Sequence, residues 1–306
     1  INKVVGGKNG QRFISAIVSA YNTNPTLQEC TNQSILSAAL LGESLQLSPS
    51  PQLGHYYMVP FNNTKTGVKE AQFQMGYKGY IQLAIRSGQY KRLNVVAIKE
   101  GELEYFDPLN EDIKVNLMVD DWDKREEAET IGYYAMFELV NGFRKTMYWS
   151  KAQMLAHADK YSQAFYKDAG KVKTKYGEKQ RVSFADYEAG NYDPRDSWMY
   201  SSFWYKNFDG MAYKTMLRQL ISKWGVMSIE LQKAFEGDMA TLDAEGRPTY
   251  VENDNDEYVE ATATEVNEPE DAQNTQNSVQ NPQPTPAENP QPEMNAAEAA
   301  LFGSFK

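Results

Sequence analysis

Lys78, Gln82 and Arg86 recur at i, i+4 and i+8 within the stretch Gly-Tyr-Lys-Gly-Tyr-Ile-Gln-Leu-Ala-Ile-Arg, residues 76–86. At about 100° per residue this spacing stacks them as one polar stripe on a helix that leaves a strand, beside an apolar arc of Tyr77, Tyr80, Ile81, Ala84 and Ile85. Gly79 flanks the stripe. A glycine inside a helix costs about 1 kcal/mol relative to alanine, so its presence points to close approach by another backbone, and a phosphate backbone would suit. Bases and rings interleave again at Tyr90-Lys91-Arg92, Phe143-Arg144-Lys145 and Trp204-Tyr205-Lys206. Cations that track phosphates beside aromatic faces on which bases stack are what binding of single-stranded nucleic acid requires. On spacing alone an ordinary amphipathic helix with a solvated polar face explains the stripe equally well. Aromatic residues make up 12% of the chain, and such residues more often fill a core than form a platform.

Covalent chemistry has fewer supports. Asp120, Asp121 and Asp123, with Glu126 and Glu127, place several carboxylates at close spacing, as a divalent-metal nuclease needs. They sit in a polar run without strand periodicity, so a solvated charge run is the commoner explanation and nuclease chemistry the alternative reading. His55, His157 and Cys30 are the only histidines and cysteine, which leaves few possible members for a nucleophilic triad or a zinc site. No Gly-x-x-x-x-Gly-Lys-Ser/Thr loop occurs, which argues against ATP-driven strand exchange.

Three segments, Gly76-Tyr77-Lys78-Gly79-Tyr80-Ile81-Gln82-Leu83-Ala84, Asn141-Gly142-Phe143-Arg144-Lys145 and Ser222-Lys223-Trp224-Gly225, follow one another in an order that resembles the RecT family of phage single-strand DNA annealing proteins. The resemblance covers roughly residues 30–235. It implies ATP-independent annealing of complementary strands by protomers assembled side by side into rings or helical filaments, binding both single-stranded DNA and the annealed duplex. It implies no covalent chemistry, hence no enzyme class and no cofactor, with magnesium dependence left open. The setting implied is recombination of phage or prophage DNA in the bacterial cytoplasm, alongside an exonuclease and the host single-strand-binding protein. The candidate DNA-binding residues are Tyr77, Lys78, Gly79, Gln82, Arg86, Lys91, Arg92, Arg144, Lys145, Lys206, Lys214, Arg218 and Lys223.

Net charge is consistent with this once its distribution is considered. The chain carries 41 acids and 31 bases, but 16 of those acids and only Arg247 and Lys306 fall in residues 236–306. The body is therefore +4 and the C-terminal segment −14. Residues 100–129 alone hold 12 acids against 3 bases, so the rest of the body is +13. A basic surface is available. A single cysteine permits no internal disulfide, and no stretch approaches the ~18 apolar residues of a membrane span, so a soluble cytosolic protein is expected.

The elements that must position these residues follow from periodicity. Helices are expected around residues 11–21, from an N-cap at Thr31 through Leu41, from Ser150 to Tyr161, from Phe203 unbroken to Trp224, and from Ser228 to Phe235. Strands are expected at His55–Pro60, Glu70–Met75, Leu93–Lys99, Glu102–Phe106 and Ile113–Met118. Asn141-Gly142 signals a two-residue hairpin turn, pairing Tyr134 with Trp149, Met136 with Met147, Glu138 with Lys145 and Val140 with Phe143. Residues 162–197 read as an irregular basic insertion, a solvated segment or a lid over a groove. The fold class is α+β: a twisted antiparallel sheet with packed helices in residues 1–240, then an acidic tail, 241–306, whose Asn, Gln, Pro and Glu content predicts disorder. Ala296–Phe302, with Leu301, Phe302 and Phe305, would be its partner-docking end.

Overall fold

The computed structural model describes residues 7–63, 67–162, 164–174, 177–242 and 248–250. The chain divides into a first unit ending at Tyr258 and a second of Val259–Lys306; the second unit, with the greater part of the expected acidic tail and its apolar end, lies outside the described residues.

Local signals account for the first third. Helix α1 (Gly7–Thr23) is followed by α2 (Asn32–Ser44), which starts where Thr31 accepts a hydrogen bond from the Ser34 amide. That cap satisfies one of the unpaired amides every helix start presents. Strands β1 (Tyr56–Asn63) and β2 (Val68–Met75) pair antiparallel, Tyr56 opposite Met75, and lead into α3 (Tyr77–Arg86). The buried face of α3 consists of Gly79, Tyr80, Leu83 and Ala84. Ile85, expected in the apolar arc, is 60% exposed: Leu83 takes the inward position, rotating the apolar face away from that arc.

Strand β3 (Tyr90–Lys99) precedes a small acidic module of β4 (Leu103–Asp107), β5 (Asp112–Val115) and α4 (Trp122–Glu127). Buried Glu102 ties the module together, accepting from the Lys99 and Met118 amides and from Arg125 Nε at 2.6 Å. Burial opposes its ionisation, but Arg125 and those amides prevail and hold the carboxyl below its ordinary range. Strands β6 (Thr130–Leu139) and β7 (Arg144–Ser150) complete a three-stranded sheet of order β3-β6-β7.

The β6–β7 register corrects the expected one. Tyr133 faces Trp149, Ala135 faces Met147, and Glu138 faces Arg144 rather than Lys145. The reason is the turn. Leu139 N donates to Phe143 O and Gly142 N to Leu139 O, so the loop has three residues, Val140-Asn141-Gly142, with Gly142 at φ 87°. Only the last of them needs the left-handed region, as in a three-residue hairpin loop ending in a glycine bulge. Adding one loop residue moves every partner by one, exchanging which side chains share a face. Glu138 finds its cations on the other side, in β3: Lys91 at 2.5 Å and Arg92 at 3.5 Å.

Ser150 caps α5 (Lys151–Tyr161) through a reciprocal pair with Gln153. Residues expected to be irregular then form a hairpin, β8 (Gly170–Thr174) with β9 (Gly177–Arg181), and α6 (Phe184–Glu188). They enclose aromatic residues: Phe165, Phe184, Tyr200 and Tyr205 are buried, with ring centroids of Phe165 and Tyr205 4.9 Å apart. The long helix expected from Phe203 is broken. A short α7 (Phe203–Lys206) ends at Asn207, whose side chain accepts from the Gly210 amide to open α8 (Phe208–Trp224). Helix α9 (Ile229–Gly237), capped by Ser228, and a ladder of β10 (Ala240–Leu242) with β11 (Pro248–Tyr250) complete the described fold, so paired backbone continues past the composition change at 241.

Helix α8 lies between two cores. Leu217 and Ile221 pack with α2, β1, β2, α3 and α9, whereas Ala212, Met216 and Leu220 pack with the sheet, α5 and the aromatic residues around Phe165. One helix thereby fixes the position of the α3 stripe relative to the three-stranded sheet.

Candidate nucleic-acid interface

The basic residues resolve into three settings. The first is the α3 stripe, where Lys78, Gln82 and Arg86 are exposed. Arg86 Nη1 reaches Gln46 Oε1 at 3.3 Å and its Nη2 donates to the Leu45 carbonyl. His55 lies nearby; its pKa is lowered by burial first and then by Arg86 and Lys78. Gly79 does permit close approach, to the chain's own backbone: a Cβ there would stand 2.1 Å from the His55 carbonyl oxygen. Tyr77 is half-buried, its ring edge-on to Tyr213 at 5.4 Å.

The second setting is the turn end of the sheet, where three segments distant in sequence meet. Lys145 Nζ lies 4.4 Å above the Trp224 ring and pairs with Glu111, Lys223 Nζ sits 6.0 Å from the same ring, and the Tyr90 hydroxyl donates to the Val226 carbonyl at 2.9 Å. Lys91, Arg92, Arg144 and Phe143 are exposed at this end. The Asn141–Lys145 and Ser222–Gly225 segments thus form one corner.

The third is a cleft of about 1120 Å³ between the β1–β2 hairpin, the end of α5, and α7–α8. Its walls include Tyr57, Tyr161, Phe203 and Lys206, with the Tyr57 and Phe203 rings 5.6 Å apart. Lys214 and Arg218 line it from below. Both are largely buried and hold Asp238, at 2.9 Å from Lys214 Nζ and 2.8 Å from Arg218 Nη1. Tyr80 Oη donates to the same carboxylate at 2.9 Å, and the Met75 amide donates to it at 2.8 Å. Burial would raise the Asp238 pKa, but Lys214 and Arg218 outweigh it and hold the carboxyl below its usual range. Lys214 and Arg218 thus reach the cleft floor as cations clamped on Asp238. Sequence reasoning had counted Asp238 among the acids of the tail. The signal for it was the i, i+4 pair Lys214/Arg218 at the border of an apolar arc, which calls for a buried counterion.

Trp204 and Tyr205, read as possible platforms, are 6% and 5% exposed and belong to the core. Tyr57 and Phe203, the rings that do face the cleft, were not singled out because no base adjoins them in sequence. Asp121 caps α4, accepting from the Lys124 amide at 3.2 Å, and the described residues contain no cluster of three His, Cys, Asp or Glu side chains that could hold a metal ion. No described helix is long and apolar enough to cross a membrane.

Residues 11–256 match the model of the RecT family. The chain belongs to that family. It is 39% identical over 228 residues to the uncharacterized protein YqaK of Bacillus subtilis, an alignment covering 74% of this chain and 64% of YqaK. It is 28% identical over 230 residues to protein RecT of Escherichia coli, covering 74% of this chain and 71% of RecT. The chain therefore spans about two-thirds of the length of these relatives. All three motifs that carried the resemblance fall inside the RecT-family match, and the described part of that match is α+β with antiparallel pairing throughout.

Proposed function

We propose that this RecT-family chain binds single-stranded DNA along the cleft and its basic surroundings and anneals complementary strands without ATP. The observation that carries the reading is the cleft itself: aromatic rings at its walls, Lys214 and Arg218 lining its floor and exposed Lys206 at its edge. Phosphates held by lysine and arginine lose much of the repulsion that keeps two strands apart. Tyr57 and Phe203 offer faces for sequence-tolerant stacking. Bases held by their backbones keep their pairing edges free, and base pairing then supplies the specificity. This is acceleration by positioning, with no bond made or broken, and magnesium would act only as a counterion. One protomer presents a short cleft, so protomers bound contiguously along a strand would extend it into a ring or filament. An exonuclease that exposes single strands and the host single-strand-binding protein are the partners such a reaction needs in phage or prophage recombination.

Fluorescence anisotropy of a labelled oligonucleotide across a salt series tests the interface. Lys206→Glu is expected to weaken binding and to lower the log–log salt slope by about 0.7, the value of one phosphate contact on a single strand. A folded chain carrying Lys206→Glu, Lys78→Glu and Arg144→Glu together that binds as the unmodified protein does would contradict the assignment.

A further inference from the structure

A second, smaller pocket of about 550 Å³ lies under the β8–β9 hairpin, lined by Tyr166, Lys171, Arg181, Trp198 and Met199. Arg181 is its unusual member. Only 8% exposed, it has among the described residues no ion pair with a carboxylate and no hydrogen-bond partner for its buried Nε. Its Nη2 makes one long contact, 3.4 Å to the Asp168 carbonyl. The Tyr166 ring lies 3.7 Å from its Cζ, which stabilises a cation without neutralising it. Two carboxylates of this region are engaged by other bases, Glu178 by Lys171 at 3.1 Å and Asp196 by Lys179.

A buried guanidinium without an anion is destabilising, and a neutral side chain of similar shape would fold more stably. The surroundings nevertheless accommodate it. Gly170 faces Arg181 across the hairpin, and a Cβ at that position would stand 3.0 Å from Nη2. The pocket thus combines a fixed fork of donors with the Trp198 ring, 49% exposed, while Lys171 on its wall is paired with Glu178. Its location is equally informative: Ala164 lines both this pocket and the large cleft, so the two are neighbours.

We propose that this pocket is a phosphate subsite at the exit of the cleft. It seats one phosphodiester of the single strand on Arg181, with the attached base against Trp198. The proposal rests on the single-strand-binding reading above, and it assigns a binding role to a segment whose sequence reads as an irregular insertion.

The test compares the full chain with Arg181→Met, Arg181→Lys and Trp198→Ala, using labelled oligothymidylates of increasing length and inorganic phosphate as a separate probe. Arg181→Met is expected to retain or raise the thermal midpoint, to weaken long oligonucleotides severalfold and to lower the salt slope by about 0.7. Arg181→Lys should keep most of that slope. Trp198→Ala should weaken binding by about tenfold through lost stacking. Oligonucleotides short enough to fill only the cleft should be indifferent to all three. Long oligonucleotides bound by folded Arg181→Met and Trp198→Ala with unchanged affinity and slope would overturn the subsite while leaving the cleft reading intact. So would an Arg181→Met chain that unfolds while Trp198→Ala binds normally, since Arg181 would then be structural. Competition by millimolar inorganic phosphate that is equal for the unmodified chain and Arg181→Met would likewise overturn it. If the unmodified chain bound no single strand of any length, both readings would fall together.

Discussion

Arg218 Nη1 donates to Asp238 Oδ2 at 2.8 Å, joining the middle of α8 to the residue that ends α9. Lys214, one turn earlier, takes the other carboxylate oxygen, and the Tyr80 hydroxyl ties the same group to α3. One carboxylate therefore connects the floor of the cleft to the helix that carries the exposed basic stripe. Lys214 and Arg218 brace the cleft and charge its floor, while Lys206 and Lys78 remain exposed.

Asp238→Ala would leave two buried cations and a tyrosine hydroxyl without their acceptor. Breaking a buried pair from one side costs about 3–5 kcal/mol, so urea denaturation should show a loss of that size. Lys214→Met, which leaves Arg218 and the Tyr80 hydroxyl on the carboxylate, should cost less. Equal losses for the two variants would contradict the clamp.

Acid should reveal the same carboxylate. The Asp238 pKa is depressed in the folded chain, so its contribution to stability is present above the unfolded value near 4 and is lost as pH falls toward the folded value. Thermal midpoints measured downward from pH 5 should fall more steeply for the unmodified chain than for Asp238→Asn, which has no carboxyl to protonate. Parallel curves would show that Asp238 is not held ionised.

Tyr56 is fully buried and its hydroxyl has no hydrogen-bond partner among the described residues. A buried unsatisfied hydroxyl costs about 1–3 kcal/mol, so Tyr56→Phe should raise stability toward that amount in a thermal melt. The ring itself must stay, since a Cβ at Gly42 would lie 2.3 Å from it. Gly42→Ala is accordingly destabilising, and a destabilised Tyr56→Phe would mean that the hydroxyl is bonded after all.

At the sheet corner, Lys145 stacks on Trp224 and is tied to Glu111. Glu111→Gln frees Lys145 from its carboxylate and should strengthen single-strand binding at low salt, with the gain shrinking as salt screens it. Trp224→Ala should remove the gain. Binding indifferent to Glu111→Gln at low salt would exclude this corner from the interface.

Local physics made much of the fold legible. Thr31, Ser150 and Ser228 announce helix starts by side chains that cap the first turn, aromatic and β-branched content marks β1, and the Asn141-Gly142 turn announces the hairpin of β6 and β7. Two misreadings came from signals that support two outcomes. Asn141-Gly142 serves a two-residue or a three-residue loop, and only tertiary packing of Tyr133 and Phe137 selects the register. Asn207 ahead of Asp209 and Gly210 is a helix start inside an otherwise continuous helical pattern. The aromatic core from Phe165 to Tyr205 was illegible because its rings meet through contacts distant in sequence, with no period to betray them. The same limit applies to the site. Basic residues were visible one by one, but burial of Lys214 and Arg218 against Asp238, and of Arg181 against Tyr166, depends on neighbours brought in by the fold.

The central claim is annealing without an energy source, and one measurement addresses it directly. Two complementary oligonucleotides carrying a donor and an acceptor fluorophore are mixed with the chain, in parallel with and without ATP and magnesium. The account predicts energy transfer that rises far faster than in the protein-free control, at a rate indifferent to ATP, with both strands recovered intact on a denaturing gel. Pairing no faster than the control, acceleration that requires ATP, or strands shortened in a magnesium-dependent way would contradict it.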